Sequence, residues 1–154
     1  VDDEIDVLEA LVGLLAKCKI DTASTFEKAR ELIQNEDYDA AILDIMGVNG
    51  FELLRIADKK EIPVIMFTAH ALTEESLMKS AKEGAAYFAP KDKIGDIEEF
   101  LADVIEARQK NMNPWARWFS RLASYYDKKF NGTRWREQEN EFWEKKLRPI
   151  HYSE

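Results

Sequence analysis

The sequence predicts an α/β protein in which a parallel sheet is wound by helices on both faces. Two patterns carry the prediction. Segments with apolar residues at helical spacing alternate with short apolar runs from about residue 4 to residue 110. Those runs lack the in–out alternation of a half-exposed strand, so both faces need cover, as in a parallel sheet. A third pattern bears on function: Asp44, Thr68 and Lys91 each stand at the carboxyl end of one apolar run, and open parallel sheets hold ligands outside those ends.

EIDVLEALVGLLAK (4–17) sets Ile5, Leu8, Leu11, Val12 and Leu15 at helical spacing, with Asp2 or Asp3 as its expected cap. KIDTAS (19–24) is a short strand candidate. STFEKARELIQN (24–35) pairs Ser24 with Glu27 as a capping box and gathers Phe26, Ala29, Leu32 and Ile33 on one face. YDAAILDI (38–45) is a buried strand and GFELLRIADKK (50–60) a short helix. IPVIMFTA (62–69) is a second buried strand, with Pro63 near its start, where proline is tolerated. Thr73 caps the next helix, Glu74 and Glu75 suit its positive end, and Gly84 stops it. AAYFAPK (85–91) is a third buried strand, followed by a long amphipathic helix over 93–110.

One element is wanting. A βαβ unit needs about five apolar residues ahead of the first helix, and only Val1 stands there. The expectation is that an N-terminal strand is missing from this sequence, and that without it the sheet is unstable or completed by another chain.

The net charge of −8 is unevenly spread: residues 113–154 carry nine Lys/Arg against six Asp/Glu, the rest 13 against 24. An acidic body disfavours nonspecific nucleic-acid binding and suits a divalent cation or a partner with a basic surface. No apolar run reaches the roughly 18 residues of a membrane span. The opening VDDEID is acidic, unlike a signal peptide. Cys18, the single cysteine, is read as a packing residue. The expected location is the cytoplasm.

A carboxylate in an apolar run costs several kcal/mol unless it is paired, hydrogen-bonded or metal-bound, so Asp44 needs a reason. Singly, each candidate has an ordinary role: Asp2 and Asp3 as helix caps, Asp44 as a strand end reaching solvent, Thr68 as a turn cap, Lys91 as a solvated cation. Their joint placement points elsewhere. Asp2, Asp3 and Asp44 form a carboxylate cluster that calls for a cation, and Mg²⁺, a hard oxygen-seeking ion, is the natural one. A carboxylate can accept a phosphoryl group covalently, with a metal, Lys91 and the Thr68 hydroxyl placed to share the charge of the transferring oxygens.

These segments resemble the response-regulator receiver domain of two-component signalling. VDDE resembles the family's acidic pair, AILDI the strand ending in its phosphoacceptor, VIMFTAHA the strand ending in its signalling Thr/Ser, and EGAAYFAPK the segment carrying its lysine. All four occur in the family's order. The resemblance covers residues 1–109 and implies a flavodoxin-like, doubly wound, five-stranded sheet. It further implies Asp44 as the phosphorylation site and Mg²⁺ held by Asp3 directly, Asp2 largely through water, Asp44, and the backbone carbonyl of Met46. Thr68 and Lys91 would bind the phosphoryl oxygens and Ala69 would leave them room. Phe88 falls at the family's switch aromatic, with a core role as its plain alternative, and His70 at a position that tunes phosphoryl lifetime. DIMGVNG is two residues shorter than the family's D-x-x-M-P-x-x-x-G and lacks its proline. Pro90 precedes Lys91 where the family has a proline after it, so no cis bond is expected there.

Residues 110–154 lie outside the resemblance. Asn113-Pro114 opens a helix with Trp115, Trp118, Phe119, Leu122, Tyr125 and Tyr126 on one wide apolar face. NGT (131–133) breaks it, and RWREQENEFWEKKL (134–147) is a second helix. Ten of the 17 aromatic residues lie here, too much apolar surface to stay exposed and too little chain for an independent core, so the helices must pack on the receiver, on a second copy or on a partner, with packing on the receiver the plainest reading. The expected partner protein is a histidine kinase or phosphotransfer protein. The expected output is a contact with a downstream protein or a second copy through 110–154, without DNA or membrane. Three rivals stand beside this reading: a scaffold pseudo-receiver that is not phosphorylated, a Mg²⁺-dependent aspartate-nucleophile phosphatase, which wants a second acid where Met46 stands, and a transcription factor using the tail, which the short length and mixed acids of that tail disfavour.

Overall fold

The computed structural model describes residues 1–148; the last residues of the predicted extension, 149–154 with Tyr152, lie outside the described residues. Three parallel strands, β1 (Ala41–Leu43), β2 (Val64–Thr68) and β3 (Tyr87–Pro90), pair in that order, with Leu43 opposite Met66 and Thr68 opposite Pro90. The helices are α1 (Ile5–Leu14), α2 (Phe26–Asn35), α3 (Gly50–Lys59), α4 (Glu74–Lys82), α5 (Ile97–Gln109), α6 (Pro114–Lys129), α7 (Arg134–Glu137) and α8 (Asn140–Leu147). A 3₁₀ turn over Lys91–Asp96 leads from β3 into α5. Every residue of β2 and β3 is buried, as the lack of alternation requires.

The predicted five strands are three among the described residues. KIDTAS forms no ladder, because the chain beside it offers one bond, Asp2 N–H to the Ala23 carbonyl at 3.1 Å. On its other side the Val1 amino group donates to the Ile42 carbonyl (2.7 Å) and Asp44 N–H to the Val1 carbonyl (2.9 Å). Residues 1 and 2 therefore lie in the plane of the sheet between residue 23 and β1. Beside them is a cavity of about 450 Å³, lined by apolar side chains including Leu11, Leu15, Ile33, Ile42 and Leu101.

Several local expectations are corrected. Thr25, not Ser24, caps α2, accepting from Lys28 N–H. Glu4 is the first-turn boundary of α1, with no side-chain cap, because the Asp2 carboxylate folds onto the Glu4 N–H instead (3.0 Å). Ile5 and Val12 are exposed while Leu8, Leu11 and Leu15 are buried, so the buried stripe of α1 is narrower than its apolar pattern. Cys18 is exposed in the turn after α1, not packed. The second tail helix is two, α7 and α8, parted at Glu139, whose backbone leaves the helical region. Thr73 caps α4 as predicted, accepting from Ser76 N–H at 3.1 Å.

The C-terminal helices pack on the same chain. Trp115, Trp118, Leu122 and Tyr126 of α6 are buried, and so are Trp135 and Trp143. They continue one apolar core that runs from Leu11 to Trp143. This aromatic face covers the free edge of β3. An uncovered edge would expose unpaired carbonyls, and here indole and phenol groups satisfy them: Trp115 Nε1 donates to the Ala85 carbonyl, Trp118 Nε1 and Tyr126 Oη to that of Phe88, at 2.8, 2.8 and 3.0 Å. Among the described residues no helix is long and apolar enough to cross a membrane.

Candidate functional site

The carboxyl ends of the strands converge on one acidic pocket. Asp44 follows β1 directly and is 5% exposed; Asp2 is 1% exposed and Thr68 fully buried. Lys91 follows β3, and its ammonium lies 2.7 Å from Asp2 Oδ2, 3.1 Å from Glu4 Oε1 and 3.5 Å from Asp44 Oδ2. Asp44 Oδ1 accepts from the Ile45 N–H at 3.0 Å. Thr68 Oγ1 accepts from Ala71 N–H at 3.2 Å, which leaves its hydroxyl proton to donate. Ala69 and His70 are exposed just beyond β2.

Electrostatics make this pocket expectant of a cation or of exchange of charge. Burial raises the Asp44 carboxyl from its ordinary 3.8 to about 6. The Asp2 charge adds to the rise, and Lys91 with the Ile45 N–H opposes it. Burial pulls the Lys91 ammonium down, but Asp2, Asp44 and Glu4 together hold it above its ordinary value. Asp2 Oδ2 is buried and, among the described residues, meets only the Lys91 ammonium, as an ion pair and not as a well-formed hydrogen bond. One oxygen each from Asp2, Asp3 and Glu4 comes within 4.8 Å of the others. Hard oxygen donors with a spare buried oxygen fit an oxygen-seeking divalent ion.

The short DIMGVNG loop closes against this cluster. Gly47 (φ +85°) and Asn49 (φ +53°) take left-handed backbone, which lets the chain reverse in few residues. A β-carbon at Gly47 would overlap the Asp3 carboxylate, and one at Gly50 the Asp44 carbonyl oxygen. The Met46 side chain points to solvent. Asp2, Asp44 and Lys91 are thus in contact, Asp3 lies against the loop after Met46, and Thr68 ends the neighbouring strand. Phe88 is apart from them, fully buried with its ring 5.8 Å from Tyr126. Glu4, a second partner of Lys91, escapes the sequence reading; its only signal is its place next to the acidic pair. No peptide bond is cis among the described residues.

Comparison with known proteins shows the family to which this fold belongs. The family model for the response regulator receiver domain matches residues 1–103. The chain is 30% identical over 115 residues to the response regulator protein PilR of Pseudomonas aeruginosa, covering 70% of this chain and 26% of PilR. It is 35% identical over 124 residues to the two-component response regulator ARR18 of Arabidopsis thaliana, covering 76% of this chain and 19% of ARR18. Among solved structures, NtrX from Brucella abortus, crystallised in complex with ADP, superposes with a TM-score of 0.60 at 25% identity, over 71% of this chain and 27% of NtrX. The chain therefore spans about a quarter or less of the length of these relatives. With the matched family model, the parallel sheet and the acidic pocket at its carboxyl ends, the chain belongs to the response-regulator receiver domain family.

Proposed function

We propose that the chain is a phosphoacceptor in two-component signalling, with Asp44 as the acceptor. A histidine kinase or phosphotransfer protein would be the donor. The observation that carries this reading is the sharing of one half-buried lysine, Lys91, between Asp2 and Asp44 at the carboxyl end of the sheet. In this reading residues 1–109 are the receiver and 110–154 a helical extension. The signal passes to a downstream protein or a second copy in the cytoplasm, without DNA or membrane contact.

The chemistry follows from the side chains. An Asp44 carboxylate oxygen attacks phosphorus as the phosphorus–nitrogen bond of the donor phosphohistidine breaks, and the departing imidazole keeps the electron pair and takes up a proton. Lys91 and the Thr68 hydroxyl bind the phosphoryl oxygens as their charge builds, an electrostatic role fixed before the reaction begins. Mg²⁺, held by Asp2, Asp3, Asp44 and the Met46 carbonyl, would supply the remaining positive charge. The exposed Ala69 leaves room for the oxygens; water later hydrolyses the acyl phosphate and restores the carboxylate, at a rate that the exposed His70 beside Ala69 would tune. Phe88 couples the site to the surface formed with α4 and α5. The self-catalysed phosphorylation and slow hydrolysis make this a signalling domain, with no turnover of a free substrate.

The test is direct. With Mg²⁺ and acetyl phosphate, the wild-type chain is expected to form an acid-stable, alkali-labile phosphoprotein and Asp44→Ala none. No phosphoprotein at saturating donor would overturn the reading in favour of a non-phosphorylated scaffold. Sustained phosphate release from unrelated phosphoesters would overturn it in favour of a hydrolase.

A further inference from the structure

Helix α6 grips the Lys91 segment from both sides. Three residues before Lys91, the Phe88 carbonyl accepts from Trp118 Nε1 (2.8 Å) and Tyr126 Oη (3.0 Å). One residue after it, both Asp92 oxygens lie 3.2 Å from Tyr125 Oη. Two residues after it, the Lys93 ammonium sits 5.2 Å over the Tyr125 ring. Only residues 89–91 separate these anchors, and β3, which carries the first of them, is short and fully buried. We infer that Tyr125 is a positioning residue for Lys91, and that α6, through Asp92 and the Phe88 carbonyl, responds to occupancy of the phosphate site. This inference rests on the phosphoacceptor reading and names how the occupied site would be sensed.

The physical argument is one of partner exchange. The Lys91 ammonium is now spread over Asp2, Glu4 and Asp44. An anion on Asp44 offers it new oxygens and draws it from Asp2 and Glu4. A short buried strand has little slack to absorb that movement, since interiors are close-packed. The displacement is therefore passed to the two anchors on α6. Coupling is reciprocal, so loosening the Asp92 anchor also weakens the site: an Asp92 carboxylate freed from Tyr125 leaves the Lys91 turn less ordered.

All four tryptophans of the chain lie at 115, 118, 135 and 143, so indole emission reports the seating of α6 without a label. In the full chain with Mg²⁺, titration with beryllofluoride is expected to change tryptophan emission, with the same midpoint as binding followed by ¹⁹F NMR. Asp44→Ala should abolish both signals. Tyr125→Phe keeps the ring and removes only the hydroxyl. It should weaken beryllofluoride binding roughly three- to tenfold with unchanged circular dichroism, while Ser124→Ala, at an exposed neighbour, leaves binding alone. Full ¹⁹F binding with silent emission overturns the coupling but spares the phosphoacceptor reading, and so does an unchanged affinity in Tyr125→Phe. Absence of ¹⁹F binding in the wild type overturns both.

Discussion

The charge of Asp44 is disfavoured in the pocket by its burial and by the neighbouring Asp2. Its carboxyl titrates near 6 in the fold, raised first by burial and then by Asp2, against an ordinary 3.8. Between those two values the folded chain keeps a proton that the unfolded chain has lost. Stability therefore falls as pH rises through about 4 to 6 and stays lower above that window. A shift of this size is worth on the order of 2 kcal/mol once partial solvent screening is allowed for. Asp44→Asn removes the charge, so in EDTA at pH 7 it is expected to unfold at higher urea than the wild type, by about that amount. The difference should close by about pH 4. An equal difference at both pH values would refute the electrostatic account. Much of this site is legible in the sequence because a lone acid in an apolar run announces its own cost. Glu4 is not, because an exposed acid near a helix start has an ordinary capping use and its contact with Lys91 spans 87 residues of chain.

Among the elements, those whose signal is local and strong follow the sequence closely. The capped helix from Thr73 and the helix opened by Asn113-Pro114, with Asn113 accepting from Trp115 N–H, are examples. So are β2 and β3, whose apolar runs admit no other assignment. Elements that depend on a neighbour depart from it: the 19–24 segment has strand composition but only one bond to the chain beside it. The GVNG loop shows a third case, in which local residues serve a tertiary fit. Gly50 begins α3 against the Asp44 carbonyl, where a β-carbon has no room. Two effects of Gly50→Ala oppose each other. Alanine is the better helix former by about 1 kcal/mol, while forcing apart a packed contact costs about 1–3 kcal/mol or more. Because the clash is with backbone, which cannot rotate away, overpacking wins. Gly50→Ala is expected to lower stability by roughly 1–2 kcal/mol in urea unfolding and to weaken beryllofluoride binding, since the displaced atoms carry Asp44. A stabilised variant would show that the loop yields easily.

For the whole molecule the question is whether the C-terminal helices fold with the sheet or apart from it. The sequence predicts a boundary near residue 110, where the βα alternation ends, and packing of the aromatic face on the receiver, but not which residues make the attachment, because they lie far apart in the chain. Its polar centre is Asp103 of α5, buried to 5% exposure. It accepts from Tyr87 Oη of β3 at 2.7 Å and from Arg121 of α6 through Nε (2.8 Å) and Nη2 (3.1 Å). Arg117 and Glu99 extend the network to solvent. Burial, with the Asp103 contact, pushes the Tyr87 phenol well above its ordinary range, so it stays a donor at any working pH. Removing Arg121 alone strands a buried carboxylate, whereas removing both charges does not. We therefore expect Arg121→Met to cost about 2–3 kcal/mol and the Asp103→Leu, Arg121→Met pair to cost less than the sum of the singles, with a coupling of about 1–3 kcal/mol. Because one apolar core runs through both parts, tryptophan emission, which reports only the C-terminal helices, and far-ultraviolet circular dichroism, which reports the whole, should trace one coincident transition in the wild type. Two separated transitions, with emission changing first and Arg121→Met leaving the second untouched, would mean that the helices are an appended unit whose contacts with β3 and α5 add nothing to the stability of the sheet.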